Sequence, residues 1–157
     1  MDSYLLLKFI HILCAVVVAG TGTGIAFFML MASRSQQVEA IAITARHVVV
    51  ADWIFTAPAV VIQFITGLLL MNRLGYSFSS PWFLAVISLF VFIGVCWLPV
   101  VVIQYKLRAL ADASLASGVI DPAFKKLMTL WVALGVPAFF AVLVLFWLMV
   151  FKPLSAI

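Results

Sequence analysis

Four long apolar runs divide the chain, and short polar connectors separate them. Each run is long enough for the roughly 20 helical residues that cross about 30 Å of hydrocarbon. Spanning segments are therefore predicted at about 4–32, 45–71, 82–105 and 127–151. Because no long polar linker interrupts this pattern, the chain is expected to form one integral-membrane domain over residues 1–157. The predicted fold is an all-α, polytopic membrane four-helix bundle.

Residues that start or stop helices lie in the connectors. Ser35 is predicted to N-cap the second helix before it enters the membrane, and Pro81 suits the first turn of the third. The third helix is expected to continue past residue 105 into the following connector. Gly118 is predicted to end that segment, and Asp121 with Pro122 to start the fourth helix.

The composition identifies the solvent as lipid. Hydrophobic residues make up 68% of the chain and charged residues 9%, which is more apolar surface than a soluble domain can hide. The net charge of +4 comes from basic residues near helix ends, so no nucleic-acid partner is indicated. Nucleotide-binding loops, nucleophile elbows, zinc spacings and paired carboxylates are missing from the sequence, which excludes a soluble-type enzyme. Whether the protein is an enzyme of another kind is left open.

Basic residues predict the orientation of the bundle. The connectors on one side, with the adjoining helix ends, carry six of them and the opposite side carries three. The six are Arg34, Arg46, Lys106, Arg108, Lys125 and Lys126, and the three are Lys8, Arg73 and Lys152. The positive-inside rule then puts both termini outside, on the periplasmic side of a bacterial inner membrane.

The second span has a polar face inside an apolar segment. At about 100° per residue, six small or polar residues fall within one narrow sector of the helix. They are Asp52, Thr56, Ala59, Gln63, Thr66 and Gly67. An ionisable residue in a span is costly, so this face is expected to point into the bundle and to carry function. Pro58 lacks the N–H that would bond to the carbonyl of Ile54, which predicts a local break.

Lys8 and His11 share one face of the first span, and two interpretations of them stand. In one, His11 ligates a metal or haem iron or relays protons, while Lys8 binds an anionic group such as a propionate. In the other, Lys8 extends to the headgroups and His11 makes one hydrogen bond to a neighbouring helix. Counting residues outward from the predicted hairpin between the first and second spans puts His11 at the same depth as about Pro58. The expected cavity would then contain His11, Asp52, Thr56 and Gln63.

Arg46 and His47 are secondary candidates at the cytoplasmic end of the second span. By the same count His47 is too far along the helix for it and His11 to ligate one haem. The alternative interpretation makes Arg46, His47 and Asp52 a local charge cluster, in which Arg46 or Arg34 neutralises Asp52. In the first span, the G-x-x-x-G spacing of two glycines predicts close helix packing, within the bundle or in a dimer. These glycines are Gly20 and Gly24.

The chain resembles a bacterial integral-membrane family of unknown function, DUF2269, along essentially its whole length. Three segments carry the resemblance: YLLLKFIHILCAVVVAGTGTGIAFFM, TARHVVVADWIFTAPAVVIQFITGLLL and WLPVVVIQYKLR. The chain is more distantly similar to HemJ-type protoporphyrinogen oxidases and CopD-type copper-resistance membrane proteins. These share K-x-x-H in the first span, here Lys8 to His11, and a T-x-P second span, here Thr56 to Pro58. The HemJ resemblance implies haem b and porphyrin oxidation, with His11 as the residue that carries over.

The leading hypothesis is a haem b or porphyrin-linked membrane redox protein with a polar intramembrane site. One alternative is a small transporter or metal-handling membrane protein, because polar groups and proline breaks suit a solute path. Another is a non-catalytic partner subunit or assembly factor. The expected partners are the lipid bilayer and either a second copy of the chain or a membrane partner subunit.

Overall fold

The computed structural model describes residues 3–153, and every regular element in that range is helical. Its α-helices are α1 (Ser3–Ser35), α2 (Val38–Ala51), α3 (Ala57–Leu74), α4 (Pro81–Ser114) and α5 (Pro122–Phe151). A π-helical turn, Asp52–Thr56, joins α2 to α3, so the two form one continuous helix, Val38–Leu74. Within the described range, four helices are long and apolar enough to cross a membrane. The predicted all-α, four-span membrane architecture is therefore confirmed, whereas its orientation stays a prediction.

The starts of α4 and α5 follow from the residues that cap them. The hydroxyl of Ser80 accepts a hydrogen bond from the N–H of Phe83 at 3.2 Å, and Pro81 occupies the first turn. The carboxylate of Asp121 accepts from the N–H of Ala123 at 2.7 Å, directly before Pro122. Both groups satisfy backbone donors that the first helical turn leaves without a partner. These two predicted helix starts are correct.

The connector between α1 and α2 is shorter than predicted. Ser35 belongs to α1 and donates its hydroxyl to the carbonyl of Ala32 at 2.7 Å, so the prediction that it caps the second helix is wrong. Gln37 takes the N-cap position without a side-chain hydrogen bond. Gln36 has a φ of 58°, a left-handed conformation that turns the chain within two residues. The hairpin is therefore centred on Gln36 and Gln37.

The third spanning helix continues into its connector, as predicted. α4 runs to Ser114, and Gly118 then adopts a φ of 68°. Its N–H bonds to the carbonyl of Ser114 at 3.0 Å. Glycine reaches this left-handed conformation without the Cβ clash that other residues meet, which is why it suits a helix end.

The buried core is concentrated in one half of the bundle. Here α1 packs against the second spanning helix, α2 against α4, and α4 against α5. The core residues lie towards the α1–α2 and α4–α5 connectors, in what we call the connector half. They are Ile25, Met29, Ala32, Ile41, Ala42, Ala45, Val48, Val100, Ile103, Leu107, Ala111, Phe124, Met128 and Trp131. His11 lies outside this cluster, towards the termini.

Large apolar side chains cover the outside of the bundle. Examples on three of the spanning helices are Phe9, Val95 and Val150, each more than 60% exposed. A soluble protein rarely exposes apolar surface on this scale, whereas lipid chains solvate it without cost. The outward faces therefore contact the bilayer.

Candidate functional site

His11 lies on the inward face of α1. The buried residues of this helix include Cys14, Ile25 and Met29, whose spacings of 11 and 4 positions place them on one face. His11 stands one turn before Cys14 on the same face and is half-buried. Lys8, in contrast, is exposed, and its Nζ lies 5.9 Å from the centroid of the Tyr4 ring. Lys8 and His11 are thus one turn apart, and of the two only His11 is half-buried.

Both ring nitrogens of His11 have hydrogen-bond partners on α3. Nδ1 lies 2.9 Å from Oγ1 of Thr66, and Nε2 lies 3.0 Å from Nε2 of Gln63. The Thr66 hydroxyl donates its one proton to the carbonyl of Ile62 at 2.7 Å, so it accepts from His11 Nδ1–H. Nε2 of His11 then accepts from the Gln63 amide. The arrangement satisfies a neutral imidazole protonated at Nδ1, and it exceeds the single hydrogen bond of the simpler interpretation.

Gly67 brings the backbone of α3 up to the histidine ring. A Cβ at this position would lie 3.2 Å from Cε1 of His11, closer than most side-chain contacts. The other glycines of the described spanning segments show no such constraint, because a Cβ on any of them would meet nothing within 4 Å. We call His11, Gln63, Thr66 and Gly67 the His11 site.

The observed level of His11 differs from the predicted one. It contacts Gln63 and Thr66 instead of lying level with Pro58. Two features cause the difference: the hairpin is centred beyond Ser35, and the π turn adds to the length of chain before α3. Asp52 is 11 residues before Gln63, which is about 16 Å along a helix. The single cavity expected for His11, Asp52, Thr56 and Gln63 is therefore two separate polar sites.

Asp52 and Thr56 form the second of these, the Asp52 site, within the π turn. Each residue is only 5% exposed. Among the described residues, Oδ2 of Asp52 and Oγ1 of Thr56 are buried without a hydrogen-bond partner. The turn ends where the N–H of Ala57 bonds to the carbonyl of Asp52, directly before Pro58, which has no N–H to donate. The break predicted at Pro58 is thus a π turn, a feature common at functional sites.

Arg46 does not neutralise Asp52. Its Nε donates to Oδ1 of Asp112 on α4 at 2.9 Å, and Nε of Arg108 lies 3.8 Å from Oδ2 of the same carboxylate. The interpretation that pairs Arg46 with Asp52 is therefore wrong. Asp112 was missed from the sequence, although its i, i+4 spacing from Arg108 on a continuing helix indicated an ion pair.

His47 is exposed and belongs to neither polar site. It borders an open cleft of about 410 Å³ on the outer surface, together with Gly24, Phe28 and Phe55. Gly20 and Gly24 would accommodate a Cβ without contact, so the predicted close packing of G-x-x-x-G within the bundle is wrong. The alternative, packing in a dimer, stays a prediction.

Residues 3–153 contain no group of three or more His, Cys, Asp or Glu side chains able to hold a metal ion together. A metal bound at the His11 site would therefore depend on a single imidazole. At the Asp52 site the atoms without a partner in residues 3–153 are both oxygens, one from a carboxylate and one from a hydroxyl. The two sites differ in chemistry as well as in depth.

A family model described as a predicted integral membrane protein, DUF2269, matches residues 5–153. The match covers nearly the whole chain. The protein belongs to the DUF2269 family. No curated protein and no solved structure matches the chain significantly. As a DUF2269 member, it is an integral membrane protein whose apolar helices contact the bilayer.

Proposed function

We propose that this DUF2269 protein is a membrane redox protein that holds haem b through His11. The observation that carries the proposal is the fixed tautomer of the ring. Nδ1–H is held by Thr66, whose hydroxyl is in turn bound to the carbonyl of Ile62. Metal-ligating histidines commonly donate one ring N–H in this way, which orients the ring and leaves the other nitrogen as the ligand. Here that nitrogen is Nε2.

Gln63 controls access to this nitrogen. Its amide donates one hydrogen bond to Nε2, while its own Oε1 is buried without a partner among the described residues. A neutral hydrogen bond contributes a net of about 0.5–1.5 kcal/mol, so displacing one amide costs little. An amide held by one bond is therefore easily replaced by a stronger ligand of Nε2.

The donors would suit a haem held by the His11 imidazole alone and do not fit ligation of one iron by both histidines. His47 lies 16 residues before Gln63 on the same continuous helix, which is roughly 24 Å. One iron cannot span that distance. A haem with an open coordination position supplies one-electron or oxygen-linked oxidation chemistry.

The surroundings of His11 also support the proposal. The buried cluster of the connector half reaches Ile25 on α1, which is 14 residues from His11, about 21 Å. His11 thus lies outside the cluster of buried apolar residues that packs the connector half. Lys8 is exposed one turn away, where a long side chain that reaches the headgroups can pair with a propionate.

The test is a reduced-minus-oxidised visible spectrum of the purified protein, with a pyridine haemochrome assay for stoichiometry. We expect a b-type spectrum at about one haem per chain, lost in His11→Ala and retained in His47→Ala. The second variant is the matched control, since it removes the chain's other imidazole. Gln63→Leu removes the amide that bonds to Nε2 of His11 and should therefore keep or increase haem occupancy. A protein that stays colourless when haem is supplied during expression would overturn the proposal.

A further inference from the structure

Asp52 is the one carboxyl group within the predicted spans. Of the five acidic residues, Glu39 is exposed near the start of α2, Asp112 is ion-paired near the end of α4, and Asp121 caps α5. The fifth, Asp2, precedes α1 in the sequence. Asp52 is 5% exposed, and its Oδ2 has no hydrogen-bond partner in the described chain. A carboxylate in this position requires a compensating positive charge.

The elements packed around the π turn are α1, α2 and α3, and α4 reaches it through one hydrogen bond. None of their described basic groups pairs with Asp52. Arg46 and Arg108 both bind Asp112, and His47 is exposed at the outer cleft. On α1, His11 is engaged about 16 Å away by Gln63 and Thr66. Within residues 3–153, therefore, no ion pair supplies a counter-ion to this carboxylate.

Thr56 adds a second oxygen to the same site. It follows Asp52 by four residues on the buried side of the turn, and its Oγ1 is equally without a partner in residues 3–153. Nε1 of Trp53 donates to the phenol oxygen of Tyr105 at 2.7 Å, which holds α4 level with the turn. The neighbouring residue on α4, Gln104, is buried as well. Polar side chains from two helices thus lie at one depth.

We propose that Asp52 and Thr56 form an intramembrane site for one small monovalent metal cation, Na⁺. Carboxylate and hydroxyl oxygens are ligands for hard cations. One carboxylate balances one positive charge, which favours a monovalent ion over Ca²⁺ or Mg²⁺. Transition metals prefer sets of nitrogen or sulfur ligands, and this site has neither.

The cation site is independent of haem binding at His11. Its ligands lie on the π turn, whereas His11 lies on α1 and its partners Gln63 and Thr66 lie on α3. Removal of the Asp52 carboxylate is therefore expected to leave a haem spectrum unchanged. The two proposals can fail separately.

The experiment measures thermal unfolding of the full-length protein in detergent, with NaCl or choline chloride at equal ionic strength and the same pH. A ligand that binds only the folded state raises Tm with its concentration. At a hundredfold excess over the dissociation constant, we expect a rise of about 5–10 °C. A rise in Tm with NaCl but not with choline chloride identifies Na⁺ as the ligand.

Three variants make the assignment specific. Asp52→Asn should abolish the cation-dependent rise in Tm, and Thr56→Val should shift it to at least tenfold higher NaCl. Asp112→Asn is the matched control, because it removes an ion-paired carboxylate outside the site and should retain the full response. If the Tm of wild type and the Tm of Asp52→Asn respond identically to NaCl, the proposal is wrong. Should Asp52→Asn not fold, a wild-type Tm that rises no more with NaCl than with choline chloride would overturn the proposal equally.

Discussion

Nδ1 of His11 lies 2.9 Å from Oγ1 of Thr66, although 55 positions separate the two residues in the chain. The bond fixes both the tautomer of the imidazole and the register of α1 against α3. It does so because the Thr66 hydroxyl has already donated its proton to the carbonyl of Ile62. An unpaired polar group in hydrocarbon would cost several kcal/mol. His11 is thus accommodated in the bilayer by a single turn of the facing helix.

Replacing Thr66 by valine should remove the acceptor of the Nδ1 proton. A buried donor left without a partner costs about 1–3 kcal/mol, which should appear as a lower Tm of the purified protein. The ¹⁵N shifts of the His11 ring should also show a change in tautomer, and Thr66→Ser should restore both properties. Thr23→Val is the matched control, since Thr23 is exposed and bonds only to the carbonyl of Ala19 on its own helix. Equal losses in the two valine variants would contradict this account.

Gly67 and Gly94 allow a comparison of glycines in two spanning helices. A Cβ on Gly67 meets Cε1 of His11 at 3.2 Å, and the ring cannot move away easily because both of its nitrogens are bound. Gly67→Ala is therefore expected to cost about 1–3 kcal/mol through overpacking. Gly94→Ala meets nothing within 4 Å and should be neutral or stabilising by about 0.5–1 kcal/mol. Chemical denaturation in mixed micelles measures both, and a neutral Gly67→Ala would argue against a tightly held ring.

The sequence predicted features that depend on one helix at a time. The four spans, the capped starts of α4 and α5 and the polar inward face of the second span are present, whereas the predicted cap at Ser35 is not. On that face Asp52, Thr56 and Thr66 are buried, and Gln63 and Gly67 are half-buried. These features are predictable because the angle between residues on one helix is set by local geometry.

Contacts between helices were harder to predict from the sequence. The level of His11 depended on the two-residue connector and on the π turn, neither of which has a strong sequence signal. If the predicted centre of a hairpin is wrong by one residue, the partner assigned to a residue on the facing helix is wrong by two. The ion pair of Arg46 with Asp112 likewise depends on how far α4 continues beyond the membrane. Single-helix periodicity carries no information about these distances.

The π turn predicts an asymmetry between two single-residue deletions. Because a π turn contains an extra residue relative to an α-helix, deleting Ile54 should convert it to α-helix and preserve the faces on either side. Deleting Val61 from α3 should instead rotate Thr66 away from His11 by about 100°. The two residues are matched in exposure, at 59% and 57%. Size-exclusion profiles and Tm should show a folded protein for the first deletion and a severe loss for the second. Comparable losses of Tm in the two deletion variants would mean that the π turn contains no residue beyond those of an α-helix.

The orientation of the bundle can be tested with two engineered cysteines. Ser117 lies between α4 and α5, and Ser79 lies between α3 and α4, so the two connectors are on opposite sides of the membrane. The native thiols, Cys14 and Cys96, are buried, so background labelling should be low. With six basic residues on the side of Ser117 against three on the other, we expect a membrane-impermeant maleimide to label Ser79→Cys in intact spheroplasts. Ser117→Cys should react only after lysis. The reverse pattern would place both termini in the cytoplasm, and Lys8, one turn from His11, would then lie nearer the cytoplasmic headgroups.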